Sequence, residues 1–239
     1  MTRNLWTAAT AALLLCVSGA EAAPPANVTA ALTAPSRSDA DKARDAARKP
    51  AEMLEFSGVK PGDKVGELLP GGGYFTRLLS AAVGPNGKVY AAAPANDLEK
   101  AKAAAKGNVE VVALTPTSLG FPEPVDLIFT AQNYHDFHLK RLNLDVAAVN
   151  KRLYDALKPG GTLLIIDHAA VPGAPIEVAD SLHRIDPAVV RREVEAAGFK
   201  FVGESNAVRN PSDPKTGNVF EPAIRGKTDQ FVYKFQKPS

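Results

Sequence analysis

All four histidines of the chain fall between positions 135 and 183. His135 and His138 stand in Gln132-Asn133-Tyr134-His135-Asp136-Phe137-His138, His168 follows Asp167, and His183 precedes Arg184. Histidine is the side chain best suited to take a proton near neutral pH, and a neighbouring carboxylate can hold its ring in one tautomer. The same residue types bind metals, and imidazole donors shift preference from magnesium toward zinc, iron or nickel. A second stretch with chemical content is Val65-Gly66-Glu67-Leu68-Leu69-Pro70-Gly71-Gly72-Gly73-Tyr74. Its glycines let the backbone approach a ligand closely and offer amide donors, and Glu67 adds a carboxylate. Alone, a glycine-rich turn is equally a tight turn with no ligand.

These groups can act together only if the elements between them bring them to one place. Hydrophobic spacing and turn residues predict helices over 38–48, 51–56, 74–82, 97–106 and 139–157. A further helix starts at Asp186-Pro187 and runs to Ala197. Buried strands are predicted over 64–69, 88–92, 109–114, 125–130, 162–167, 199–204 and 230–235. Alternation of near-continuously apolar strands with helices is the pattern of a parallel sheet covered on both faces. One three-layer α/β domain over 36–239 follows. In such a sheet, ligands bind beyond the carboxyl ends of the strands, at the switch point of strand order. The glycine loop leaves the first strand, the His135 segment leaves the fourth, and Asp167-His168 ends the fifth, so all three face one crevice. Arg209 and Arg225 either pin the long connection between the last two strands, with Asp229 as a partner for either, or face an anionic acceptor. Asp186 reads as a helix cap, His183 as an internal hydrogen-bonding group and His138 as a solvated cap residue.

The segments Pro-Gly-Gly-Gly-Tyr-Phe-Thr (70–76), Asn-Tyr-His-Asp (133–136), Ile-Asp-His (166–168), Leu-His-Arg-Ile-Asp (182–186), Arg-Asn-Pro (209–211) and Arg-Gly-Lys-Thr-Asp-Gln-Phe (225–231) resemble the class I S-adenosylmethionine-dependent methyltransferases. More closely, they resemble a subgroup of signal-bearing members. The resemblance implies a Rossmann-like domain with a mostly parallel seven-stranded sheet and an antiparallel last strand. It also implies S-adenosylmethionine as cofactor, held by Glu67, Gly71, Gly72, Gly73, Tyr74 and Asn133. Glu67 matches the acid that ends the family's first motif, and Gly71 and Gly73 match its second and third glycines. Leu69 and Pro70 depart from the pattern. After the second strand Val89-Tyr90-Ala91-Ala92-Ala93-Pro94 offers no acid for the ribose, and Asp97 is the nearest candidate. Leu114-Thr115-Pro116-Thr117 lacks the acid often found near adenine.

On this resemblance the histidine cluster sits where the methyl acceptor binds. His135 is the first choice to remove an acceptor's proton, with Asp136 or Asp167 orienting it. His168 stands beside them, and Tyr134 would stack on or hydrogen-bond to the acceptor. The segment from Asp167 to Gly173 is similar to the metal-binding strand end of the catechol methyltransferases, with His168 in place of an amide. A metal shared among His135, Asp136, Asp167 and His168 is therefore a competing reading, and no metal ligand is assigned. A binding protein that keeps the fold without the reaction is a further alternative.

Composition narrows the partners. Twenty-eight Lys and Arg against 26 Asp and Glu leave a net charge of +2, too little to make an electrostatic case for nucleic acid. The expected partner is a small-molecule acceptor. The one cysteine, Cys16, allows no internal disulfide. Residues 1–22 read as a cleaved secretory signal: Arg3, an apolar stretch over 5–17, then Ala20-Glu21-Ala22. The expectation is therefore an exported, periplasmic protein with no membrane attachment after cleavage. Residues 23–35 read as an Ala/Pro-rich spacer.

Overall fold

The computed structural model describes residues 23–239. The expected signal segment, 1–22, lies outside the described residues. Among the described residues no helix is long and apolar enough to cross a membrane.

Seven strands form one sheet: β1 (Lys64–Leu68), β2 (Lys88–Ala93), β3 (Val109–Ala113), β4 (Val125–Ala131), β5 (Leu157–His168), β6 (Lys200–Ser205) and β7 (Gln230–Gln236). Their order is β3-β2-β1-β4-β5-β7-β6. Pairing is parallel from β3 through to β5, and β7 runs antiparallel between β5 and β6. The predicted seven-stranded, mostly parallel sheet with an antiparallel last strand is what the chain builds.

The central strands read as continuous apolar runs because both faces are covered. In β5, Leu163 and Ile165 join one core with Leu153, Val190 and Val194, whereas Leu164 and Ile166 join the other with Met53, Leu78 and Leu79. This period of two assigns successive side chains to opposite layers. From β1 the chain steps outward to β2 and β3, then returns to β4 on the other side of β1. The loops leaving β1 and β4 therefore diverge and open a crevice at their carboxyl ends.

Nine α-helices occur among the described residues: α1 (Ala26–Leu32), α2 (Asp39–Lys42), α3 (Asp45–Arg48), α4 (Pro50–Ser57), α5 (Tyr74–Val83), α6 (Leu98–Ala104), α7 (Val146–Ala156), α8 (Val178–Leu182) and α9 (Pro187–Ala196). Three expected segments differ, and α8 is not among the predicted helices. Residues 23–35 are not a spacer: α1 buries Val28 and Ala31 against α4 and α5, and Asn27 donates to the Val59 carbonyl at 2.9 Å. A seven-residue helix has little stability of its own, so it exists through packing that an Ala/Pro-rich sequence does not advertise.

The helix expected over 38–48 is broken into α2 and α3. Two of its acids are drawn to partners elsewhere: Asp41, which is buried, to Arg77, and Asp45 to Tyr74 and Arg37. Lys49 then takes a left-handed conformation (φ 46°) ahead of Pro50, a position from which proline excludes the right-handed helical region. The long helix expected over 139–157 starts only at Val146, where Asp145 accepts the Ala148 N–H at 3.1 Å. Lys158-Pro159-Gly160-Gly161 belongs to β5, as an irregular start where the register with β4 shifts.

Truncating Val28 tests the part played by α1. Val28→Ala should lower the unfolding free energy in urea by about 2 kcal/mol, as for a methyl-lined core site. A spacer residue would give no change.

Candidate active site

Three non-glycine residues around the crevice are left-handed: Leu69 (φ 53°) just after β1, Gln132 (φ 65°) just after β4, and His183 (φ 53°) at the end of α8. Such conformations cost energy and collect where a site demands a particular turn. A cavity of about 550 Å³ opens there, with Glu67, Gly71, Gly72, Asn133, His135 and His168 on its walls. The three loop glycines differ in what they do. Gly71 is left-handed (φ 55°). Gly73 caps α5 with φ 78°, and a Cβ there would lie 2.5 Å from that of Ala104. It serves backbone and packing and, unlike the other two, does not line the cavity. Gly72 meets neither constraint; a Cβ on it would find nothing within 4 Å. Its bare backbone forms cavity wall.

Glu67 is 3% exposed and accepts the Thr76 hydroxyl at 2.5 Å. Burial pushes its carboxyl up to about 7, and the Thr76 bond only partly opposes this. Asn133 donates to the Ala131 carbonyl at 2.8 Å and approaches the Leu68 and Leu69 carbonyls at 3.4 Å, tying the ends of β1 and β4.

Opposite Glu67 stand two arginines that the sequence reading left unassigned, although their i, i+4 spacing puts both on one helical face. Arg44 and Arg48 both line the cavity. Their guanidinium carbons lie 5.3 and 4.8 Å from the Tyr74 ring centroid. Tyr74 is thus a platform beneath them, with its hydroxyl committed to Asp45 at 2.7 Å. Arg48 donates to Gln132 Oε1 at 2.8 Å and has no carboxylate partner among the described residues. Burial and the nearby Arg44 charge lower its pKa to about 10. The segment is seated by Arg77, whose guanidinium grips Asp41 with two 2.7 Å bonds.

The histidine side of the cavity is organised by Asp167, which has no solvent exposure. Its carboxylate accepts the backbone N–H groups of His135 and His168, each at 2.7 Å, and pairs with His135 Nδ1 at 2.8 Å. Burial alone would raise the Asp167 pKa; the His135 ring, then the nearby His168 ring and the His135 N–H, hold it below the usual carboxylate range. Burial would correspondingly lower His135, and Asp167 outweighs it, so that imidazole is raised. With Nδ1 occupied, His135 turns Nε2 toward His183 Nδ1 and Asp136 Oδ1, each 3.3 Å away. His168 bonds Thr228 through Nδ1 at 2.8 Å, and burial drops its pKa to about 4, which leaves it neutral.

Asp167 therefore acts by positioning. His135 meets Asp136 as expected, but its third partner is His183 in place of His168. Tyr134 is a correction: it is fully buried, donates to Glu193 at 3.1 Å and accepts from Asn150 at 2.7 Å. It lies in a tight 3-10 turn, where successive residues point about a third of a turn apart. His135 thus faces the cavity while Tyr134 enters the core, out of reach of an acceptor. His138 is not a solvated cap either; it pairs with Glu193 at 3.0 Å.

A second cavity, about 290 Å³, lies over the ends of β2 and β3. Its walls are mainly apolar, with Leu114, Leu119, Phe137 and Leu142, and Asp97 and Thr115 supply polar groups. Leu68, Leu69, Asp136 and Arg141 line both cavities, which adjoin there.

The 206–229 connection closes one side. Arg184, fully buried, grips Asp213 with bonds of 2.8 and 3.1 Å. Arg209 grips Asp229 at 2.8 and 2.9 Å, the expected pin, with Arg225 not involved. This loop carries Phe220 to 4.8 Å from the His183 ring, centroid to centroid. Asp186 caps α9 as expected, accepting Ala188 N–H at 2.9 Å.

Comparison with known proteins adds to this geometry. Residues 67–165 match the model of a methyltransferase domain family. A ubiquinone/menaquinone biosynthesis C-methyltransferase of Ectopseudomonas mendocina is 34% identical over 134 residues, 52% of this chain and 48% of that one. The protein of the same name from Cronobacter sakazakii is 30% identical over 173 residues, 68% of this chain and 66% of that one. The chain thus spans about half to two thirds of the length of these curated relatives. The crystal structure of a SAM dependent methyltransferase from Aquifex aeolicus shares the fold, with a TM-score of 0.58 and 23% identity over 82% of this chain and 93% of that one.

Replacing the central carboxylate tests the arrangement. The amide of Asp167→Asn can accept through one oxygen only and turns its NH2 toward an existing donor. A loss of about 3 kcal/mol is expected in urea unfolding at neutral pH, typical of breaking a buried charged pair.

Proposed function

We propose that this chain, which carries a methyltransferase domain of the class I S-adenosylmethionine-dependent superfamily, transfers a methyl group from S-adenosylmethionine to a small molecule bearing an acidic hydroxyl. The observation that carries this reading is a polar cavity with Glu67 on one wall and Arg44 and Arg48 on another, adjoining at the switch point an apolar cavity that Asp97 helps to line.

The residues fit the cofactor part by part. A zwitterionic amino-acid end needs an anion and a cation, and Glu67 and Arg48 supply them without a partner of opposite charge bound to either. The bare backbone at Gly71 and Gly72 leaves room beside them. A nucleoside end needs an apolar slot with a hydroxyl acceptor; Leu114, Leu119 and Phe137 line such a slot, and Asp97 stands in for the acid missing directly after β2. When bound, the cofactor supplies an electrophilic methyl group on a sulfonium sulfur.

The chain's own contribution is alignment and ionisation. Holding the acceptor in line with the methyl group carries much of the acceleration in such displacements. Arg141 lines both cavities and favours an anionic acceptor at their junction. The acceptor end is the convergence of His135, Asp136 and His183; His135, its Nδ1 held on Asp167, takes the hydroxyl proton on Nε2 and leaves the acceptor as its anion. An ionised phenol or enol is nucleophilic at oxygen and at the adjacent carbon, consistent with relatives named as C-methyltransferases.

Calorimetry with S-adenosylmethionine tests the reading. Glu67 must be ionised to hold the cofactor's ammonium, yet in the free protein it is protonated below about pH 7. The free form then carries one more proton than the complex, so binding releases a proton. Affinity should rise by up to about tenfold per pH unit below 7 and level off above it. Glu67→Gln should bind about tenfold more weakly at pH 8 and lose this pH dependence. Asp97→Ala should cost about tenfold at every pH. No binding by folded protein at pH 8 would overturn the proposal.

A further inference from the structure

We propose that His135, Asp136 and His183 form a site for one divalent transition-metal ion of the zinc type at the wall of the polar cavity. His135 Nε2 lies 3.3 Å from Asp136 Oδ1 and 3.3 Å from His183 Nδ1, and the latter two are 3.9 Å apart. A point equidistant from the three lies about 2.1 Å from each, within the range of Zn–N and Zn–O bonds. Two of the three edges already match the spacing of about 3.3 Å between ligands of a tetrahedral zinc, and a small turn of the partly exposed His183 ring closes the third.

Three further features belong to an ion site. Asp136 has no other bonded partner: among the described residues no backbone or side-chain donor apart from these two histidines lies within hydrogen-bond or ion-pair distance of its carboxylate. His135 shows the outer-sphere arrangement of a metal-bound imidazole, with Nδ1 on a buried carboxylate at 2.8 Å and Nε2 directed into the cluster. His183 is presented from a left-handed backbone (φ 53°), which a β-carbon disfavours, and its ring rests against Phe220. The ligand set suggested by the order of residues along the chain is not assembled. Asp167 is already engaged by His135 and His168, His168 spends Nδ1 on Thr228, and its ring centroid is 6.1 Å from that of His135.

Two imidazoles and one carboxylate favour zinc, iron or nickel over magnesium. All three residues line the 550 Å³ cavity, so the remaining coordination positions are open to a ligand there. A hydroxyl oxygen bound to such an ion releases its proton to solvent at lower pH than it does in water. The ion site stands on its own geometry; only this role toward an acceptor rests on the methyl-transfer reading.

The test uses full-chain protein stripped with a chelator and then titrated with Zn²⁺ by calorimetry and with Co²⁺ by visible absorption. One equivalent of either ion should bind, and Co²⁺ should give the intense bands of a four- or five-coordinate site. His183→Ala and Asp136→Asn should each weaken binding about 100-fold or more, with thermal melts showing that both remain folded. His138→Ala, a histidine outside the cluster, should leave it unchanged. Absence of a stoichiometric ion in the unaltered protein, or an affinity that survives both variants, would overturn the proposal. S-adenosylmethionine titrated into the stripped protein separates the two readings. Cofactor binding with no ion site removes this proposal alone, and an ion site with no cofactor binding removes the methyl-transfer reading alone.

Discussion

A carboxylate with no access to water has to be surrounded by donors, and Asp167 is where the chain meets that demand. Its position at the end of β5, next to β4, leaves the turn after β4 as a nearby source of N–H groups. That turn winds tightly so that the His135 backbone and ring both reach the carboxylate, and the His168 backbone adds another bond. The rest of the site follows from this. The His135 ring is held in one orientation, Nε2 is the atom left to face the cavity, and Tyr134 is forced into the core on the other side of the turn.

The segments outside the sheet are seated by paired charges of the same design. Arg77 on Asp41, Arg184 on Asp213 and Arg209 on Asp229 are each two-bonded pairs that anchor irregular chain beside the crevice. Pairs with a buried carboxylate add little net stability against an apolar replacement, but removing the arginine is costly because it strands that carboxylate. What they secure is geometry: the first keeps the segment bearing Arg44 and Arg48 over the glycine loop, and the other two hold the loop that sets Phe220 against His183. The walls of the cavity are therefore preorganised by interactions distant from its centre.

The crevice itself divides by polarity. Glu67, three arginines and three histidines crowd one cavity, and leucines with Phe137 dominate the next. Burial has an electrostatic cost, visible as a carboxyl raised to about 7 and an arginine lowered to about 10, the arginine also by its neighbour Arg44. A ligand carrying both charges at one end and an apolar ring at the other relieves both, which is why the pair of cavities is more informative than either alone.

Strand positions, the parallel order, the glycine loop, Glu67, the Asp186 cap and the Arg209–Asp229 pin were legible in the sequence, because each is written in local spacing or in a short run of residue types. The histidine cluster was legible as a cluster, since its members leave the ends of adjacent strands. Which histidine faces His135 was not. His168 is closer in the chain, yet Thr228 claims it across the sheet, and a left-handed turn at the end of α8 brings in His183 instead. The α1 helix, the break between α2 and α3 and the paired arginines were equally hidden. Their conformations are decided by partners far along the chain, Val59, Arg77 and Gln132, and local propensity carries no record of them. Periodicity within the sequence determined the layers and the crevice; only long-range hydrogen bonds and ion pairs decided which side chains turn into it.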